Sequence, residues 1–90
     1  MTEEEVQRII DTGVQAEVVL SNPAYQEALQ STLDGLFGQF LSTSADEGAE
    51  RDGLWATGQA VLALNNTLET MKSNGRIEVE NRKHGQRPHS

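Results

Sequence analysis

From Val6 the apolar residues recur four apart, at Ile10, Val14 and Val18, with Ile9 and Val19 beside them. That spacing places them on one face of a helix. Thr2 stands ahead of the run and Glu5 follows three residues later, a capping box with acids in the first turn. Gly13 and the many β-branched residues lower helix propensity here, so "VQAEVVL" also has the character of a short strand. Helix is the reading adopted.

A second start signal is "SNPAYQEAL". Ser21 or Asn22 is the cap, and Pro23 takes the first helical position, where its missing N–H costs nothing. Tyr25, Leu29, Leu33, Leu36, Phe37, Phe40 and Leu41 then form a wide stripe at spacings of three and four. The polar run "STSADEGAE" reads as a loop, and Ser44 with Glu47 repeats the capping-box spacing at the start of a third helix.

That third segment has the clearest pattern. Leu54, Thr57, Val61, Leu64, Leu68 and Met71 alternate steps of three and four, as an inner seam does. Asn74-Gly75 reads as its stop, with Lys72 in the last turn and Gly75 at the left-handed closing position. Beyond it "RIEVEN" alternates apolar and charged residues, a short strand or an extended arm that packs Ile77 and Val79. "RKHGQRPHS" has no periodicity and reads as disordered.

The fold expected is therefore all-α. An antiparallel helical hairpin, with helices at about 23–42 and 46–74, carries an additional N-terminal helix. This small three-helix arrangement has an extended C-terminal tail. The domain runs over residues 1–78 and the flexible basic tail over 79–90.

Composition sharpens this outline. Ninety residues make one domain at most, and so short a chain buries only about 60% of its unfolded surface. One Trp, one Tyr and two Phe leave stability to aliphatic helix packing or to a partner. The absence of cysteine excludes disulfides, thiolate zinc sites and cysteine nucleophiles, and fits a reducing compartment. The acidic N-terminus is unlike a signal peptide, and no apolar run nears the roughly 18 residues of a membrane span. A soluble protein, intracellular where it is made, is the expectation.

Charge is unevenly placed within the net −7. Residues 1–71 hold twelve acids against Arg8 and Arg51, about −10, and residues 72–90 hold five Lys/Arg against Glu78 and Glu80, about +3. An acidic body repels nucleic acid, leaving only weak contact through the tail.

No constellation carries chemistry. Glu3, Glu4 and Glu5 are accounted for by the helix dipole, and so are Asp46, Glu47, Glu50 and Asp52, although a basic partner would also read that second cluster. His84 and His89 lie in the tail without the rigid, acid-supported setting of a metal site. There is no Ser–His–acid arrangement, phosphate-binding Gly loop or HExxH. The expectation is a non-enzyme with no catalytic residue, cofactor, metal or small-molecule substrate.

Three features remain open. Asn65 and Asn66 fall on the flanks of the seam just described; a partly buried Asn there would instead fix register or copy number. Gly13, Gly35, Gly38, Gly53 and Gly58 mark either close helix approach, within the chain or between copies, or a loosely optimised protein. Trp55 falls one step beside the seam near Leu62, with Gly58 leaving space next to its ring. It reads as half core and half surface, with core preferred.

Taken together, "LSNPAYQEAL", the loop of roughly ten residues and "ERDGLWATGQAVLALNNTLETMKSNGRI" resemble a family of small helical tailed-bacteriophage proteins. The resemblance covers about residues 18–78; Gly35, Gly38 and Gly58 depart from it, standing where helix formers belong. Members lie near virion structural genes and have no assigned function. The resemblance implies an accessory virion component, of capsid or tail, or an assembly factor, found in the virion or in the host cytoplasm during infection. Its partners are then a larger viral structural protein or copies of itself, with no membrane involved. Trp55 and Leu62 on the flank, and Arg76, Ile77, Val79, Arg82 and Lys83 in the tail, are the candidate contact residues. Binding would order the tail at the entropic cost of a disordered arm. Two alternatives belong to other classes: a small acidic inhibitor or regulator of a host nucleic-acid-binding or defence protein, and a nonviral helical adaptor.

Overall fold

The computed structural model describes residues 1–86. The described chain forms three helices: α1, Glu3–Ser21; α2, Pro23–Ser42; and α3, Gly48–Gln86. The all-α expectation holds, and α1 is helix throughout, including the segment with strand character. Among the described residues no helix is long and apolar enough to cross a membrane.

The helix starts follow the sequence signals. The Glu5 N–H donates to the Thr2 hydroxyl at 3.1 Å. Asn22 Oδ1 accepts from the N–H groups of Ala24 and Tyr25, at 2.8 and 3.3 Å. These bonds satisfy donors that a helix start leaves unpaired. At the other end of α2, the Thr43 N–H and hydroxyl both donate to the Phe40 carbonyl, at 3.2 and 2.7 Å. The Ser44–Glu47 pair makes the return half of a capping box, the Ser44 N–H donating to the Glu47 carboxylate at 3.1 Å. The helix itself begins only at Gly48.

α3 overruns its expected end. Instead of stopping at Asn74-Gly75 it continues through the segment read as an arm, so Arg76–Gln86 is helix rather than extended tail. Gly75 has no positive φ, and Lys72 lies well inside the helix. The helix-propensity cost of about 1 kcal/mol for an internal glycine is offset by what Gly75 permits across the interface. Lys83 and His84 occupy the true last turn, where positive charge opposes the carbonyl end of the dipole. Residues 87–90, which hold the end of the expected tail and His89, lie outside the described residues.

The described chain divides into two compact units, residues 1–20 with the part of α3 from residue 67 onward, and residues 21–66. In the first, α1 packs antiparallel on the C-terminal part of α3. Gly13 meets Gly75 backbone to backbone: a Cβ added at Gly13 would lie 2.8 Å from the Gly75 Cα and 2.9 Å from the Met71 carbonyl oxygen. This close crossing buries Ile10 and Ala16, the apolar core of the unit. In the second unit, α2 and the N-terminal part of α3 form the expected hairpin. The half-buried residues there are Leu29, Leu33, Leu36 and Phe40 on α2 and Leu54, Gly58 and Val61 on α3.

The seam of α3 is shifted from the one its leucines suggest. Leu54, Val61 and Leu68 face inward as expected, but Gly58, Asn65 and Lys72 complete the seam in place of Thr57, Leu64 and Met71. Leu64 is 62% exposed. Both columns lie one residue apart beside the same shared column, so periodicity fits either. The partner decides: Gly75 admits α1, and Asn65 matches Tyr25.

Candidate protein interaction surface

Asn65 belongs to the interior of the second unit, not its flank. The Tyr25 hydroxyl donates to Asn65 Oδ1 at 2.8 Å, across the interface between α2 and α3. A half-buried amide on an apolar seam costs free energy unless bonded, so this pair specifies which residues stand opposite each other. Near the loop end the Arg51 guanidinium sits 4.4 Å from the centre of the Phe40 ring, a cation–π contact.

Beside this seam lies an exposed apolar surface. Phe37 on α2 and Trp55 on α3 are 62% and 63% exposed, so the core reading of Trp55 is corrected. The reason is geometric. Two packed helices bury only the residues between them, and Trp55 stands one position outside that column. Between the two rings runs a groove of about 230 Å³. Leu33, Leu36 and Phe40 wall it on one side, and Leu54, Gly58 and Leu62 on the other. Gln59 is its one polar lining residue. A Cβ at Gly58 would touch nothing within 4 Å, so the open space beside the indole exists as anticipated. Leu41, 65% exposed, adds to the apolar character of α2.

The candidate residues of the C-terminal segment lie in the other unit and do different work. Arg76 Nη2 donates to Glu17 at 2.6 Å. Arg82 forks, one nitrogen to Gln7 Oε1 at 2.8 Å and the other to the carboxylate of Glu3. Lys83 pairs with Glu80 on its own helix at 3.4 Å. Val79 is half-buried and Ile77 points outward. Arg76 and Arg82, expected to reach a partner, are thus engaged with acids of α1, a pairing hidden while the segment is read as an arm.

The second acidic cluster is organised by Ser44. Its hydroxyl is shared between the carboxylates of Asp46, at 2.6 Å, and Glu47, at 2.7 Å. That bond holds both carboxyls below their ordinary range. Glu50 is displaced upward, by its hydrogen bond with Glu47 and by the charge of Glu47. Among the described residues no group of three His, Asp or Glu side chains is placed to hold a metal ion.

The sequence names Trp55 and Leu62 as candidates but not Phe37, which lines the same groove. The signal was present: Phe37 and Leu41 make the stripe of α2 wider than one opposing helix can cover. Comparison with family models, curated proteins and solved structures gives no match for the chain.

Proposed function

We propose that this chain is a non-enzymatic protein-interaction module, acting as an accessory component of a bacteriophage particle, in capsid or tail, or in its assembly. The observation that carries the interaction reading is the uncharged groove flanked by the exposed rings of Phe37 and Trp55. Large apolar side chains grouped on a surface mark contact sites, and aromatic anchors supply much of the energy of such contacts. The phage setting rests on the resemblance of residues 18–78, and places the protein in the virion or in the host cytoplasm during infection.

With Arg76 and Arg82 engaged by α1, contact centres on Trp55 and Leu62 in place of a basic arm. The acidic charge of about −10 over residues 1–71 favours a second reading, an inhibitor that occupies the nucleic-acid-binding groove of a host protein. Mass spectrometry of purified particles separates the two. A virion component is recovered in stoichiometric amounts. Its absence from particles, with capture of a host nucleic-acid enzyme from infected cells, replaces the first reading by the second.

A further inference from the structure

We propose that Asn74-Gly75 is a self-modifying site, at which the asparagine closes onto the glycine nitrogen only when α1 leaves α3. The pair lies wholly within the α1 unit, apart from the Trp55 groove, and does not depend on what covers that groove.

The reaction needs no co-reactant but water. The Gly75 main-chain nitrogen attacks the Asn74 carboxamide carbon. A bond forms to that nitrogen, the bond to Nδ2 breaks, and ammonia leaves with the proton of the Gly75 N–H. Water then opens the cyclic imide at either carbonyl to give Asp or isoaspartate, with no oxidation or reduction. Glycine is the follower that hinders attack least, since no Cβ stands beside its nitrogen. Asn65-Asn66, Asn66-Thr67 and Asn81-Arg82 have larger followers, and in Asn22-Pro23 the nitrogen carries no proton.

Geometry withholds the reaction while α1 is docked. Asn74 is exposed, so access of water is not the restraint. Ring closure requires the Asn74 backbone to leave its helical ψ, and α3 runs unbroken through both residues. In a helix the Gly75 N–H is given to the Met71 carbonyl. The three atoms nearest a Cβ at Gly13 are the Gly75 Cα, the Met71 oxygen and the Gly75 nitrogen, at 2.8, 2.9 and 3.3 Å. α1 therefore lies directly on the hydrogen-bonded pair that must open. Without α1, Asn74-Gly75 keeps only its local chemistry, that of a helix stop. The isoaspartate product adds a methylene to the main chain opposite Gly13. The crossing then does not re-form, and Arg76 and Arg82 lose Glu17 and Glu3.

Peptide mass spectrometry of the full chain, held in warm, mildly alkaline buffer, measures Asp and isoaspartate formed from Asn74. The folded chain is expected to convert at least about tenfold more slowly than the same chain in urea, and equal rates overturn the proposal. Gly13→Ala presses on the crossing and is expected to speed conversion about five- to a hundredfold. Should that variant fail to fold, Ile10→Val cuts into the same contact more gently, with an expected rise of about two- to tenfold. An unchanged rate in whichever variant folds removes the control by α1. Tyr25→Phe weakens the other unit and is expected to leave the rate as it was. A rise matching that of the α1 variants would assign the control to unfolding of the whole chain, and the proposal fails.

Discussion

The two units bring pairs of antiparallel helices together by opposite means. In the unit of α1, small residues carry the contact. Gly13 and Gly75 let the backbones touch, and a modest set of side chains is buried as a result. Ion pairs then join the edges, Glu17 to Arg76 and Glu3 to Arg82. In the unit of α2 the side chains are larger and the burial is poorer. Both Phe residues, the Tyr and the Trp lie there, yet none of its residues is fully buried. Burial in a helix pair depends on how closely the axes approach and on which column faces inward, more than on the size of the side chains available. The first unit is closed by its glycines. The second is left with an apolar surface that awaits another layer.

The contrast is broken most directly at the crossing. Gly13→Ala drives a methyl group into the Gly75 backbone, which cannot rotate away, and is expected to cost about 1–3 kcal/mol in chemical denaturation. The same change at Gly38, where an added Cβ meets nothing, should stabilise by about 0.5–1 kcal/mol through helix propensity alone. Equal effects at the two sites would erase the distinction between the units.

A smaller effect is expected at the polar contact of the second unit. Tyr25→Phe leaves Asn65 without its cross-helix donor and should cost about 1 kcal/mol. Urea melts followed by circular dichroism measure it, and a neutral result would mean that water replaces the phenol without loss.

The smallest effect lies in the loop before α3. Asp46 and Glu47 are held below their ordinary range by Ser44, so the stability they add is present above that range and is lost as pH falls through their folded values. Glu50, displaced upward, works in the opposite sense and offsets part of it. Carboxyl titration by NMR should show the Asp46 and Glu47 midpoints rising in Ser44→Ala. Unmoved midpoints would show that the hydroxyl does not set them.

Much of the architecture was legible in local chemistry. Thr2, Asn22 and Pro23 announce helix starts because their groups serve the unpaired N–H donors next to them in the chain. The stripes of apolar residues announce helices because a 3.6-residue period leaves little alternative. The stop at Asn74-Gly75 was misread because the same glycine serves two purposes. It closes a helix when φ turns positive, and it admits another backbone when φ stays helical. Nothing within a few residues of Gly75 distinguishes these cases; Gly13, far away in sequence, does.

The interaction surface divides along the same line. The residues near Trp55 indicate an amphipathic helix with more apolar width than one neighbour requires, and that follows from spacing alone. Trp55 stands outside both columns, and its exposure follows from how little of α3 the single partner α2 covers; Tyr25 meeting Asn65 across the hairpin fixes which column turns inward. Local sequence therefore determines where helices begin and how wide their apolar faces are, because capping and periodicity act over neighbouring turns. Tertiary contact decides register, the course of α3 beyond Gly75 and the exposure of Trp55, because each depends on a residue distant in the chain.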